Sequence, residues 1–297
     1  MKVESVPNPI RAGLRFLMTP LRTPISWLGQ HGLLPPVTRS VIPYRWATEP
    51  FIVYGDRWSC KYQSGPRDAI GHFLFFNGLR KWESETIPLF TDLVRASRCF
   101  LDVGANFGIY TLVGCSVNPS LQVTALEPVP AINAALLENV RRNGFESRVT
   151  VIQAAASKEE GLVPFHESDE PTMGSLNVEG YGGHSGKLIQ VRTLTLDSLN
   201  VKPDLIKIDV EGFEDVVLEG AEELLVACRP RIILEANPDG PYERVTHILR
   251  RHDYLFQHLT PSGPRPAAFI QPSPGEDFRN WLCLPASDAL VETGPLS

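Results

Sequence analysis

The chain has 297 residues, of which 43% are hydrophobic and 21% are charged, and its net charge is −6. This composition is typical of a globular protein with a sizeable core, and the negative charge argues against a general nucleic-acid-binding protein. No apolar run approaches the ~20 residues of a membrane-spanning helix. Five widely spaced cysteines without metal-ligand spacing predict reduced thiols in a cytoplasmic protein.

Residues 1–50 are rich in proline and basic residues. Six cations and one acid give residues 1–48 a net charge of +5, so the rest of the chain carries −11. We predict a basic arm that packs against the acidic body of the protein. The alternative is peripheral contact with a membrane surface, or contact with an anionic substrate.

The next segment, residues 51–96, is predicted to cover the active site. Residues 51–63 have the pattern of a hairpin with its turn at Gly55 and Asp56. Helices are predicted over residues 68–76 and 83–96, the second because its apolar residues recur at helical spacing.

Residues 97–286 alternate between strand and helix patterns, and residues 287–297 are predicted to be a tail. Strands are predicted at 99–103, 122–127, 149–153, 204–209 and 231–235, and helices at 107–117, 130–143, 213–227 and 241–251. This alternation favours an α/β fold with a doubly wound, mostly parallel sheet. The glycine-rich segment 157–195 is predicted to form a hairpin whose loop lies over the active site.

The most informative motif is FLDVGANFGIY at residues 100–110. A buried strand ends near Asp102, Gly104 and Gly108 flank a turn, and a helix begins. Such a turn brings backbone N–H groups close to a ligand. Glu127 lies at the end of the next predicted strand, roughly 20 residues after the glycine-rich turn. In nucleotide-binding folds an acid at this offset binds ribose hydroxyls.

The spacing of this motif favours a cationic cofactor over a dinucleotide. A dinucleotide-binding turn has the pattern G-x-G-x-x-G, whereas Asn106 stands here in place of the middle glycine. Asp102 would repel a pyrophosphate but would attract a cation. S-adenosylmethionine carries a sulfonium, an ammonium and a ribose, and it has no phosphate. We therefore predict that S-adenosylmethionine binds at this turn.

A second motif, LIKIDVEGFE, covers residues 205–214. Lys207 and Asp209 alternate along the predicted strand and therefore share one face. Asp102, Glu127, Asp209 and Glu235 all fall at predicted strand ends, where ligands bind in parallel sheets.

These two motifs resemble those of the FkbM family of S-adenosylmethionine-dependent methyltransferases. The resemblance extends over roughly residues 65–260 and is strongest in FLDVGANFGIYTLV at 100–113 and LIKIDVEGFEDVVLEGAEELL at 205–225. It implies a class I methyltransferase (Rossmann-like) fold with helices on both faces of a seven-stranded sheet. The last strand is antiparallel in that fold, and residues 280–285 could supply it.

The resemblance also implies O-methylation of a sugar, glycolipid or polyketide-type natural product. By position in the family pattern, the cofactor-binding residues are Asp102, Gly104, Ala105, Asn106, Gly108, Glu127, Pro128, Gln153, Ala154, Ala155 and Asp209. Asp209 and Glu211 match the motif beside the transferred methyl group. The predicted partners are a small-molecule or glycan acceptor and no nucleic acid.

The base that removes the acceptor's proton is left open among several residues. Asp209 and Glu211 are the first candidates, and His184 and His166 are second candidates because they lie in or beside the loop. We predict no metal. If Mg²⁺ were used, Asp209, Glu235 and Asn237 would be its oxygen ligands.

Two other classes of protein stay open. A dehydrogenase of the same topology is disfavoured by Asn106, and a catalytically idle binding domain is disfavoured by the intact motifs. An assay of cofactor turnover would separate these alternatives.

Overall fold

The computed structural model describes residues 21–34, 46–65, 68–168, 186–237, 239–271 and 278–288. Most of the predicted basic arm, the tip of the predicted loop with His184, and most of the predicted tail lie outside these ranges. The boundaries predicted at residues 50, 96 and 286 stay predictions.

The N-terminal part combines helices with a hairpin. Residues 21–30 form helix α1. They are followed by strands β1 (Phe51–Tyr54) and β2 (Ser59–Tyr62), which pair in antiparallel fashion. Helices α2 (Ala69–Asn77) and α3 (Ile87–Ala96) complete this part. Helix α3 begins at Ile87, four residues later than predicted, because Glu83 has a left-handed backbone (φ 42°).

The N-terminal hairpin is fixed to the central domain by two asparagine side chains. Asn139 accepts a hydrogen bond from the N–H of Gln63 (2.7 Å) and donates to the carbonyl groups of Gln63 (3.1 Å) and Phe107 (2.9 Å). Asn143 likewise bonds the N–H and the carbonyl of Lys61. The hairpin and the glycine-rich turn are therefore held together through one buried side chain, that of Asn139.

The central sheet has eight strands. In chain order they are β3 (Cys99–Val103), β4 (Gln122–Leu126), β5 (Val149–Ile152), β9 (Leu205–Ile208), β10 (Arg231–Glu235), β11 (Tyr254–His258), β12 (Arg265–Ala267) and β13 (Asn280–Pro285). Their order across the sheet is β12-β11-β13-β10-β9-β3-β4-β5.

The pairing within this sheet confirms the class I methyltransferase fold. Strands β5, β4, β3, β9 and β10 are parallel, and β13 is antiparallel to both of its neighbours. Residues 280–285 thus supply the antiparallel strand. The short edge strand β12 adds an eighth strand to the seven that were expected.

Helices cover both faces of the sheet, as its apolar strands require. Successive residues of β3 alternate between two hydrophobic clusters, Phe100 in one and Leu101 in the other. The first cluster includes α2, α3, α4 (Ile109–Val117) and α5 (Pro130–Arg142). The second includes α6 (Glu214–Glu219), α7 (Glu222–Cys228) and α8 (Tyr242–Arg251).

The helix predicted over 213–227 is in fact two helices, α6 and α7. They are separated at Gly220, where an added Cβ would lie 2.0 Å from the carbonyl oxygen of Ser157. Close packing of the backbone against a neighbouring segment, which local periodicity does not reveal, therefore interrupts the helix.

The excursion after β5 forms a small separate sheet. Strands β7 (Gly161–Ser168) and β8 (Gly186–Leu194) pair as the predicted antiparallel hairpin, and β6 (Ala155–Ala156) pairs with the base of β8. All five cysteines are free thiols. Within the described ranges, every helix is too short or too polar to cross a membrane.

Candidate active site

A cavity of about 200 Å³ opens at the carboxyl ends of the central parallel strands. Its wall includes the acids that follow or end four of these strands, Asp102, Glu127, Asp209 and Glu235. Because parallel strands end at the same edge of a sheet, residues more than 130 positions apart meet there. The structure therefore brings together the four acids that the sequence placed at strand ends.

The glycine-rich turn after β3 forms one side of the cavity. Gly104 has a φ of 79°, and an added Cβ would lie 1.9 Å from the carbonyl oxygen of Asp209. The N–H groups of Gly104 and Ala105 both donate to the carbonyl of Leu126. Gly104 thus allows the turn to pack directly against the end of β9, which places Asp102 and Asp209 in one wall.

Asn106 and Gly108 also have left-handed backbones, but only Asn106 lines the cavity. At Gly108 (φ 88°) an added Cβ would lie 2.2 Å from the side chain of Leu136. Gly108 therefore serves the packing of α4 against α5, and its predicted contact with the cofactor stays a prediction.

Glu127 is buried, and two backbone N–H groups hold its carboxylate. The N–H of Asn106 donates to Oε2 (3.0 Å), and the N–H of Val129 donates to Oε1 (2.9 Å). Burial raises the pKa of Glu127 to about 7, although both N–H groups oppose this shift. Each oxygen can accept a further hydrogen bond, so the residue is suited to bind a pair of hydroxyl groups.

Asp102 lies deeper, at the end of β3. Its Oδ2 accepts a hydrogen bond from the hydroxyl of Thr111 (2.6 Å). Burial raises its pKa to about 6, and the Thr111 hydroxyl and the Lys207 cation counteract part of this shift. A positive charge placed in the cavity would favour the ionised form of this acid.

An apolar wall faces the glycine-rich turn. Pro128, Ala154 and Ala155 line it, as predicted from their positions, and Phe165 from β7 joins them. Gln153 does not line the cavity and is exposed, because β5 ends at Ile152 and the chain turns outward before Ala154. The alanine side chains make this part of the wall small and apolar.

Lys207 is buried at the opposite end of the cavity, with 1% of its surface exposed. Its Nζ lies 3.3 Å from Oδ2 of Asp209 and 5.3 Å from the centre of the Tyr110 ring. Burial alone would lower the pKa of Lys207, but the charges of Asp209, Glu83 and Glu235 outweigh this and raise it. The lysine is therefore a permanent cation among acids.

Glu211 lies just beyond Asp209 in a left-handed conformation (φ 52°) and accepts a hydrogen bond from Nδ2 of Asn237 (3.0 Å). Burial and the charge of Asp209 raise its pKa to about 7. Burial and Asp209 also raise the pKa of Glu235 well above its usual range.

The candidate Mg²⁺ ligands are not arranged as a metal site in this structure. Oδ1 of Asn237 accepts a hydrogen bond from Arg279 (2.9 Å), and the same guanidinium lies 3.9 Å from Glu235. Arg279 therefore contacts two of the three candidate ligands. Within the described ranges, no group of three or more His, Cys, Asp or Glu residues could hold a metal ion.

Trp82, Glu83 and Tyr110 are among the cavity residues that were not predicted as site residues. The rings of Trp82 and Tyr110 pack at 5.6 Å, and the hydroxyl of Tyr110 donates to Oε2 of Glu83. Tyr110 was visible inside the glycine motif, but its partner Glu83 lies 27 residues earlier, in a part of the family resemblance outside the two motifs. Of the histidines named as candidates, His166 lies on β7 outside the cavity wall, and His184 lies outside the described residues.

Comparison with known proteins points to one enzyme class. Residues 102–259 match a family model described as the methyltransferase FkbM domain. The chain is 29% identical to the hexuronic acid methyltransferase AglP of Haloferax volcanii, over 56% of this chain and 67% of that protein. It is 27% identical to the 31-O-demethyl-FK506 methyltransferase FkbM of Streptomyces tacrolimicus, over 54% of this chain and 74% of that protein.

Among solved structures, the methyltransferase FkbM of Methylobacillus flagellatus has a TM-score of 0.45 and 21% identity. The match covers 63% of this chain and 43% of that one. The O-methyltransferase of Bacillus cereus, solved in complex with SAH, has a TM-score of 0.37 and 17% identity, over 69% of this chain and 80% of that one.

Proposed function

The chain belongs to the FkbM family of methyltransferases, and we propose that it uses S-adenosylmethionine to methylate a hydroxyl of a sugar, glycolipid or polyketide-type natural product. The observation that carries the cofactor assignment is the cavity at the ends of β3, β4, β9 and β10. Six acids line it, and two backbone N–H groups fix one of them, Glu127.

The residues present fit this cofactor. Glu127 would bind the ribose hydroxyls, because one N–H donor holds each of its two oxygens in place. Pro128, Ala154 and Ala155 would hold the adenine ring. The negative charge of Asp102 would attract the cationic end of the cofactor. Bound S-adenosylmethionine would supply a methyl group on a positively charged sulfur, already activated for displacement.

The protein then has to position the acceptor and receive its proton. We propose that Asp209 and Glu211 orient the acceptor hydroxyl, since both line the cavity at the end of β9. Trp82 and Tyr110 close this end with aromatic surface, which excludes water and offers a face on which a sugar ring could stack. His184 stays a candidate base from the sequence.

The names of the relatives support the acceptor class. One acts on a hexuronic acid and the other on a demethylated FK506, so the family includes sugar and polyketide substrates. The basic segment at residues 1–48 would suit an acceptor held at an anionic surface, and a cytoplasmic location at a membrane face would agree with it.

Calorimetric titration tests the cofactor. We expect S-adenosylmethionine and S-adenosylhomocysteine to bind with micromolar affinity and NAD not to bind. Glu127→Ala should weaken both sulfur compounds by at least about 100-fold, because two charge-assisted hydrogen bonds are lost. Glu223→Ala, at an exposed acid on α7, is the control. Binding of NAD alone would favour the dehydrogenase alternative.

Release of S-adenosylhomocysteine tests the acceptor class. Methyl glycosides, glycolipids and a macrolide polyketide would be compared as acceptors, with and without EDTA. We expect turnover with at least one of these hydroxyl compounds and no loss of rate with EDTA. A rate that EDTA abolishes and Mg²⁺ restores would instead support the metal-assisted alternative, with Asp209, Glu235 and Asn237 as the ligands to mutate.

A further inference from the structure

We propose that Glu83 is the catalytic base that receives the proton of the acceptor hydroxyl. This inference rests on the proposed function and assigns a role to a residue outside the segment that matches the family domain, 102–259. Glu83 lies in the loop before α3 and lines the same cavity as Asp209 and Glu235.

The backbone at Glu83 is held in an unfavourable conformation. Its φ of 42° lies in the left-handed region, which a residue with a Cβ rarely adopts. The carbonyl of Glu83 accepts hydrogen bonds from the N–H groups of Thr86 and Ile87, both at 2.9 Å, where α3 begins. A non-glycine residue keeps such a conformation only where surrounding contacts hold it there, which is common at functional sites.

The side chain of Glu83 is held from two other elements. The hydroxyl of Tyr110, on α4, and Nδ2 of Asn280, on β13 (3.0 Å), both donate to its Oε2. Asn280 is 197 positions away in the chain. These contacts fix the carboxylate at the end of the cavity where Asp209 and Lys207 lie.

The two partners of Glu83 can serve both of its protonation states. A tyrosine hydroxyl can donate or accept a hydrogen bond, and an amide carries both a donor and an acceptor. Oδ1 of Asn280 is buried and has no hydrogen-bond partner among the described residues. Rotation of the amide would therefore turn a free acceptor towards a protonated Glu83.

Asp209 and Glu127 are held by groups that can only donate, whereas Asp102, like Glu83, contacts a hydroxyl group, that of Thr111. Lys207, beside Asp209, carries three donors and no acceptor, and the backbone N–H groups beside Glu127 are likewise donors. Asn237 donates to Glu211, but Arg279 already occupies its oxygen. Protonation would break these contacts, whereas at Glu83 it only reverses them.

The charges around Glu83 also suit a group that gains and loses a proton. Lys207 and Asp209 face it from β9 and the residue that follows, Tyr110 faces it from α4, and Glu85 faces it from its own loop. Burial, opposed by the Lys207 charge and the Tyr110 hydroxyl, raises the pKa of Glu83 to about 7. The base is therefore close to half ionised at neutral pH.

In the step we propose, the acceptor O–H bond breaks and its proton passes to the Glu83 carboxylate. The acceptor oxygen forms the new bond to the methyl carbon, and the electron pair of the broken carbon–sulfur bond stays on sulfur. One positive charge on the cofactor and one negative charge on Glu83 disappear together. Charge is thus balanced within the cavity, with no further reactant.

This balance predicts that the ionisation of Glu83 follows the charge on sulfur, which can be measured without an acceptor. S-adenosylmethionine and S-adenosylhomocysteine would be titrated by calorimetry at pH 7 in phosphate and in Tris, whose different ionisation enthalpies give the number of protons released. We expect the cationic ligand to release about half a proton more than the neutral sulfur ligand. Glu83→Gln should reduce the difference and weaken binding of the cationic ligand only, because proton release and affinity are linked, and Glu223→Gln should change neither.

Infrared difference spectra of the wild-type protein provide a second test, which does not depend on whether the variant folds. The protonated carboxyl band should be stronger in the S-adenosylhomocysteine complex than in the S-adenosylmethionine complex. Equal proton release by the two ligands, or a difference that is undiminished in Glu83→Gln, would overturn the role of Glu83. If neither ligand binds the wild-type protein, the proposed function fails as well.

Discussion

The two ends of the cavity hold their acids by different means. At the end formed by β3 and β4, backbone N–H groups two residues and 21 residues away hold Glu127. At the other end, side chains from α4 and β13 hold Glu83, and the side chain of Lys207 holds Asp209. Backbone donors suit an acid that keeps one ionisation state, and side chains that can reverse suit an acid that changes it.

This difference also explains what the sequence could predict. The backbone N–H groups that hold Glu127 belong to short local sequence patterns. The turn at 102–108 and Glu127 are therefore recognisable as a motif. Contacts between side chains depend on which elements meet in the fold, so the sequence does not reveal that Glu83 and Asn280 are partners.

The largest effect should come from substitution of Gly104, which allows the close contact between the two ends. In Gly104→Ala, the Cβ would lie 1.9 Å from the Asp209 carbonyl oxygen at a φ of 79°. We expect a loss of more than about 4 kcal/mol in the free energy of unfolding, because backbone must move. Denaturant unfolding measures it.

Gly144→Ala is the matched control, since Gly144 has a φ of 70° with nothing within 4 Å of an added Cβ. It should cost about 1 kcal/mol, the penalty of the left-handed backbone alone. Equal losses in the two variants would show that the contact between Gly104 and Asp209 is not tight.

Removal of the buried cation at the second end should come next. Lys207→Met leaves Asp209 and its neighbours without their positive partner, so we expect a loss of about 3 kcal/mol at pH 8. The loss should be smaller at pH 5, where more of these acids are protonated. Lys202→Met, at an exposed lysine, is the control for thermal unfolding at both pH values.

The smallest effect should be seen at Asp102. Its pKa is raised in the fold from 3.8 to about 6, so the fold favours the protonated form. The stability associated with this acid is present below pH ~4 and is lost as the pH rises through about 6. Asp102→Asn keeps an acceptor for Thr111, so it should be more stable than wild type at pH 8 by roughly 2 kcal/mol.

Unfolding free energies of wild type and Asp102→Asn from pH 4 to pH 8 would measure this difference. Asp92→Asn, on the exposed side of α3, should leave the pH dependence of wild type unchanged. A difference at Asp102 that does not grow with pH would show that burial is not what raises its pKa.

Much of the fold was predictable from the sequence, because it depends on local patterns. The apolar strands at 99–103 and 231–235 have the predicted bounds, and residues 280–285 form the antiparallel strand. The break at Gly220 and the outward turn at Gln153 were not predictable, since each depends on packing between distant segments. The same holds for the packing of Gly108 against Leu136.

The most direct test of the account is a crystal structure of the protein with S-adenosylhomocysteine. We predict that the ribose hydroxyls lie within hydrogen-bonding distance of the Glu127 carboxylate, with the sulfur directed towards Glu83 and Asp209. A ligand bound outside the cavity, or bound in it without contact to Glu127, would contradict the proposed cofactor site.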